Sequence, residues 1–324
     1  MRSQTAVERS RVADLSTDLD DLVGEAHAFA AASRADATLR AYRGDWADFT
    51  DFCDRHALTP LPADPATLAL YVTDLARRLR PSTINRRVAA ISIYHQREGL
   101  DSPTRDPRVR EIMKGIRRRL TAATQEAAPA RIGEVRRMIA HLPASLAGRR
   151  DRAVLLVGFA SALRGSELVA LNVEDIEERD EGVVLVKRRS KTDQEGVGAR
   201  VAVPYGSDPE TCPVIALRRW REDAEITAGA IFRGVDRHGN VSAGRLTQRA
   251  IAMIVKKCAD RAGLDSDRYS AHSLRAGFVT TAAANGANER AIAAQTGHRS
   301  MEVLRRYVRH ATVFTDNAAT TLGL

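Results

Sequence analysis

The chain has 324 residues, 44% of them apolar, and 50 Lys and Arg against 41 Asp and Glu give a net charge of +9. That length exceeds one ordinary core and predicts two domains, and the positive balance favours a polyanionic partner. No run reaches the roughly eighteen apolar residues of a membrane span, and the polar start MRSQTAVERSRVADLSTD lacks a signal-peptide core, so a membrane partner is excluded and a cytoplasmic location is expected. Cys53, Cys212 and Cys258 are far apart and show no CxxC or Cys/His ligand spacing, so neither a disulfide framework nor a zinc site is indicated.

Residues 1–15 are polar and are expected to be disordered. Over residues 16–120 the pattern predicts an all-helical domain. Leu19, Leu22, Val23, Ala26, Phe29 and Ala30 repeat at helical spacing, and Leu39, Tyr42, Trp46, Phe49 and Cys53 do so again. Asp64 and Pro65 read as N-cap and first-turn proline for a helix carrying Leu68, Tyr71, Val72, Leu75 and Leu79, with Pro81 as its stop. Ser82 is a candidate cap for a helix through Ile84, Val88 and Ile91 ending at Gly99, and Asp106-Pro107 repeats the first device before Val109, Ile112, Met113 and Ile116.

Charge within this domain is uneven. From Arg77 to Arg119 thirteen Lys and Arg face four acidic residues, Glu98, Asp101, Asp106 and Glu111. Arg77, Arg78, Arg80, Arg86, Arg87, Lys114, Arg117, Arg118 and Arg119 are therefore the candidate DNA-binding residues, since each phosphate neutralised releases counterions. Tyr94 is the only aromatic residue in the run, which favours duplex over stacked single strands.

Residues 121–131, rich in Ala, read as a linker, and 132–324 as a second, mixed α/β domain, mostly helical with a small β-hairpin sheet. Helices are expected over Ile132–Leu142 and Asp151–Leu163, the latter apolar enough to be the central buried one. Arg164 then falls in a tight connection, with Ser166 as a candidate cap for the next helix. Val183–Val186 predict a strand and Val201 and Val203 its return, which places Lys191 near the hairpin tip. Helices resume through Pro213–Ile226 and Leu246–Ala262.

The stretch Tyr269–His310 gathers His272, Arg275, His298 and Tyr307. His272 and Arg275 stand three apart at a predicted helix start and share one face. Tyr307 lies in MEVLRRYVRH, where Val303, Leu304 and Val308 are expected to hold the core side, leaving the phenol toward a cleft as a candidate nucleophile. Guanidinium, imidazole, ammonium and phenol in this combination suit attack on a phosphodiester without a metal.

Arg164, Lys191, His272, Arg275, His298 and Tyr307, with the strings ALRGSEL, SKT, HSLRAGF and TGHRS, resemble the tyrosine site-specific recombinases of the phage integrase family in order and spacing. LPADPATLALYVTDL and STINRRVAAISIYHQREGL look like a core-binding (SAM-like) domain of the Cre-like branch. The resemblance implies cleavage and rejoining of double-stranded DNA through a 3′-phosphotyrosyl link to Tyr307, with those six residues catalytic and Glu167 orienting a basic partner. It implies no cofactor, no metal and no ATP. It also implies a dimer on one site, a homotetramer in the synapse joined through the tail around Val313, Phe314, Leu322 and Leu324, and a simple recombinase without an arm-binding domain. A type IB topoisomerase carries a similar set, but the Cre-like first domain argues against it.

Overall fold

The computed structural model describes residues 36–121, 127–187, 199–298 and 300–312 together with Leu322. The chain divides into two compact units, residues 1–124 and 125–324. The helix expected over Leu19–Ala30 and the disorder expected of residues 1–15 lie outside the described residues.

The first unit holds α1 (Asp36–Arg55), α2 (Pro65–Ala76), α3 (Pro81–Arg97), a 3-10 turn at Pro103–Arg105 and α4 (Pro107–Thr121). Their apolar stripes meet in a core of Phe49, Leu68, Tyr71, Leu75, Ile84, Ile91, Val109 and Met113. Asp64 Oδ1 accepts the Ala66 N–H at 2.7 Å and Asp106 Oδ1 the Arg108 N–H at 2.8 Å, so both Asp-Pro pairs open helices. Pro81 corrects the sequence reading. It opens α3 rather than stopping α2, which has already ended at Ala76, and Ser82 lies inside the first turn without capping it. The missing proline N–H is harmless at a first helical position, where that donor has no partner in any case. His95 is fully buried: Nδ1 lies 2.9 Å from the Ile91 carbonyl and Nε2 accepts the Ala63 N–H at 2.9 Å.

Arg87, expected on the DNA-facing surface, is turned inward and only 14% exposed at its side chain. It donates to Asp48, and to Tyr71 Oη at 3.0 Å, while Tyr71 Oη donates to Asp48 Oδ2 at 2.7 Å. Asp45, buried on the same helix, draws Arg86 to 3.1 Å and Arg87 to 3.6 Å. Two carboxylates one turn apart on α1 thus spend the charge of Arg87 within the fold.

The second unit is built on α6 (Leu146–Ser161), whose segment Ala153–Val157 is buried on every side. Ser145 Oγ accepts the Gly148 N–H at 3.3 Å and starts this helix earlier than its apolar pattern indicates, because Arg149, Asp151 and Arg152 interrupt the stripe. Around it lie α5 (Ile132–Ala140), α7 (Gly165–Ala170), α8 (Pro213–Asp223), α9 (Gln248–Arg261), α10 (Ala271–Ala284), α11 (Glu289–Thr296) and α12 (Met301–Thr312). β1 (Ile176–Arg179), β2 (Gly182–Lys187) and β3 (Ala199–Pro204) form an antiparallel sheet in that order. Its register pairs Val183 with Val203 and Leu185 with Val201, all four buried. A second ladder, β4 (Arg233–Val235) with β5 (Val241–Arg245), was not legible from periodicity. Its signal is the turn, where Asp236 Oδ1 accepts the N–H groups of His238 and Asn240 at 2.8 and 2.9 Å.

The end of the expected linker lies against the second unit. Ala128 donates to the Arg268 carbonyl at 2.7 Å and Ala130 to the Ser273 carbonyl at 2.8 Å, beside the start of α10. Among the described residues no helix is long and apolar enough to cross a membrane.

Candidate active site

Four backbone devices bring the candidate side chains together. The first is the end of α6, where Ala162 takes a left-handed conformation with φ 52° and directs its carbonyl to Arg275 Nη1 at 2.8 Å. The second is the start of α7. Arg164 is itself the N-cap, and Glu167 reaches back to accept its backbone N–H at 2.9 Å and its Nη1 at 2.8 Å. This corrects the expectation for Ser166, which lies within the first turn and gives no cap. Glu167 is almost fully buried, whereas Arg164 keeps 26% of its side chain exposed.

The third device is the N-terminus of α10. Ser270 Oγ accepts the His272 N–H at 3.2 Å and Ser273 Oγ accepts the Ser270 N–H at 3.0 Å. His272 stands exposed there, while Arg275 is buried. Gly165 allows this close approach: a Cβ on it would lie 3.0 Å from Ala271 Cβ and 3.2 Å from Gln248 Cγ. The fourth is Gly297, whose φ of 65° ends α11 and turns the chain so that His298 faces Arg275, with Nε2 3.4 Å from Nη2.

Tyr307 comes from α12, which seats Leu304 and, partly, Met301 and Val308 against Val279, Ala283 and Ile292. The Val303 side chain, expected to share that work, lies outside the described residues. Tyr307 Oη lies 3.1 Å from His272 Nε2. The structure therefore brings together Arg164, His272, Arg275, His298 and Tyr307, with Glu167 behind Arg164. Lys191, and the tail residues Val313, Phe314 and Leu324, lie outside the described residues; Leu322 is exposed.

Sequence reasoning missed several groups that hold this cluster. Gln295 Nε2 donates to the Ala160 carbonyl at 3.1 Å and to the Ala202 carbonyl at 2.9 Å, tying α11 to α6 and β3. Thr296 Oγ1 is 2.6 Å from His298 Nδ1. Lys187, buried at the end of β2, brings Nζ within 3.7 Å of where a Gly297 side chain would begin. Thr296 lies within the TGHRS string and Gln295 just before it, but no role was read for either, and Lys187 carries no periodic or motif signal.

The electrostatics are those of a site short of anions. Burial and the neighbouring Arg164 charge hold the Arg275 guanidinium down at about 10. Burial, then Arg275, Arg164 and His272, push His298 down to about 4, so its ring is neutral at pH 7. A cavity of about 930 Å³ lies elsewhere, between the start of α6, the β4–β5 turn and α9, where Arg150, Lys256 and Lys257 are interleaved with Asp151, Asp260 and Asp267.

In the first unit Arg77, Arg78, Arg80, Arg86, Lys114, Arg117, Arg118 and Arg119 are exposed. Some are partly engaged: Arg78 lies 3.4 Å from Asp74, and Arg117 Nε donates to the Met113 carbonyl at 3.3 Å.

A model of the phage integrase family matches residues 131–313. The chain belongs to that family, the tyrosine recombinases. It is 40% identical over 291 residues to an integrase/recombinase xerD homolog of Selenomonas ruminantium, covering 88% of this chain and 85% of that one. It is 27% identical over 293 residues to the tyrosine recombinase XerD of Agrobacterium fabrum, covering 83% of each. Its fold is shared with the XerH site-specific recombinase bound to a palindromic difH substrate in a post-cleavage complex, at a TM-score of 0.57 and 15% identity over 79% of this chain and 72% of that one. A lambda integrase dimer bound to a COC′ core site gives a TM-score of 0.57 at 13% identity, over 89% of this chain and 93% of that one.

Proposed function

We propose that this chain is a site-specific DNA recombinase of the Xer type, acting in the cytoplasm on double-stranded recombination sites. The observation that carries the reading is Tyr307 Oη at 3.1 Å from His272 Nε2, beside two guanidiniums that share a single carboxylate, Glu167. A scissile phosphate supplies the anion this cluster lacks. Arg164 and Arg275 hold its nonbridging oxygens, whose negative charge grows as the phosphorane-like transition state forms. Tyr307 Oη forms the bond to phosphorus and passes its proton to His272 Nε2 as the P–O5′ bond breaks. Lys191, four residues beyond the end of β2, protonates the departing 5′ oxygen. The 3′-phosphotyrosyl link conserves the bond energy until a 5′ hydroxyl from the same or another duplex attacks it, so neither ATP nor a divalent metal is required.

The exposed cations of residues 77–119 anchor a core-binding domain over residues 16–120, in the Cre-like layout, while residues 132–324 form the catalytic domain behind the linker at 121–131. One dimer occupies each site, and two sites join in a tetrameric synapse in which the tail beyond Tyr307 packs on a neighbouring protomer. The test is a nicked suicide duplex carrying candidate sites, incubated in EDTA with wild type and with Tyr307→Phe. A covalent protein-DNA band from wild type alone is expected. A mutant that still forms the adduct overturns the assignment of Tyr307, and a shift of the DNA without any band in either protein favours a DNA-binding role without chemistry.

A further inference from the structure

His298 has two ring nitrogens, and which of them carries the proton decides what it offers to a phosphate. The answer lies in one hydroxyl. Thr296 Oγ1 is buried, with only one proton to give, and it lies 2.7 Å from the Ile292 carbonyl, a group that can only accept. With that proton committed, the 2.6 Å contact to His298 Nδ1 is made by an Nδ1–H donating to the hydroxyl oxygen. Nε2 is then bare, which agrees with its place 3.4 Å from Arg275 Nη2, another group that can only donate. The chain of bonds runs in one direction, from Arg275 through His298 and Thr296 to the Ile292 carbonyl.

We infer that Thr296 is a positioning residue that fixes His298 in the Nδ1–H tautomer and keeps bare Nε2 as the acceptor facing Arg275 Nη2. This rests on the proposed function for its chemical meaning, but the tautomer itself does not. With Nδ1 already protonated, the neutral ring keeps Nε2 as an acceptor that holds Arg275 Nη2, and so the guanidinium, in place. Without the hydroxyl the ring is free to adopt the Nε2–H form, and two donors then oppose each other where Arg275 needs an acceptor. Among the described residues the charged and titratable groups acting on the ring are Arg164 from α7 and His272 and Arg275 from α10; Glu167 is bonded to Arg164, Tyr307 to His272, and Lys187 Nζ lies beside Gly297.

The test compares wild type, Thr296→Val, which keeps the shape and removes the hydroxyl, and Thr296→Ser, which restores it. Ring-nitrogen NMR of histidine-labelled full-length protein, with His298→Gln for assignment, reads the tautomer without DNA. Single-turnover cleavage of the nicked duplex reads its consequence. Wild type and Thr296→Ser should show a protonated Nδ1. Thr296→Val should lose that signature and cleave about tenfold to hundredfold more slowly, as removal of a supporting hydrogen bond typically does, with DNA affinity retained. A protonated Nε2 in wild type, or a Thr296→Val protein with the wild-type spectrum and rate, overturns the inference. Should wild type itself fail to cleave, the functional reading falls while the ring spectrum still decides on Thr296.

Discussion

Each unit contains an arginine-rich polar cluster, and the two are balanced differently. In the first, Asp45 and Asp48 meet Arg86 and Arg87, and the Tyr71 hydroxyl donates to Asp48, whose bond helps burial hold the phenol well above its usual range. In the second, Arg164 and Arg275 face one carboxylate, Glu167, and the phenol of Tyr307 meets an imidazole instead. The first cluster is closed: each guanidinium has a carboxylate, and it ties α1 to α3. The second leaves positive charge uncompensated, with Arg275 and His298 both pushed toward their neutral forms. A fold tolerates such a deficit where a ligand supplies the missing anion, and this imbalance is the ground on which the second cluster is proposed to act on a phosphate.

Breaking the open cluster should have the largest effect. Arg164→Ala removes a proposed donor to the phosphate and should slow single-turnover cleavage about a hundredfold to a thousandfold while the duplex is still bound. A rate within a few fold of wild type would place Arg164 outside the chemistry.

Breaking the closed cluster should act on stability and leave cleavage chemistry alone. Arg87→Ala strips Asp45 and Asp48 of a buried partner and should cost about 3 kcal/mol in the first unit. Trp46, partly buried against the first unit's core, reports urea unfolding there once Trp220 of the second unit is replaced by Phe. A change confined to DNA affinity would instead restore Arg87 to the DNA-facing surface.

The smallest effect sharpens the contrast through pH. Native His298 stays neutral down to about 4, whereas in the unfolded chain it titrates near 6.5. Between those values the unfolded state binds more protons, so stability is fully present above about pH 6.5 and is lost as pH falls toward 4. The loss should be on the order of 1–2 kcal/mol, discounted for the ring's partial exposure, and His298→Gln should flatten that part of the profile. An unchanged slope in the variant would assign the titration to another group.

Most helices were legible because their apolar spacing and caps are local, as the Asp64-Pro65 and Asp106-Pro107 starts illustrate. β1, with the sequence IEER and an exposed edge, and the short β4–β5 ladder were not, since neither has enough alternation to outweigh its polar residues. Arg87 was misplaced for a related reason. Its neighbours in sequence are basic and exposed, and only the packing of α3 on α1 brings Asp45 and Asp48 to it.

By itself the sequence determined the identities and order of the candidate site residues, the helix starts and the charge of residues 77–119, because all of these are properties of residue type and short spacing. Tertiary structure alone decided which arginines are spent and which are left in want of an anion. It also set the meeting of Tyr307 with His272 and the choice of proton on His298 by Thr296. The pairings of Tyr307 with His272 and of Arg275 with His298 depend on atoms brought within 3 to 4 Å from segments 23 or more residues apart, and the Thr296 contact matters because it orients the ring that Arg275 meets.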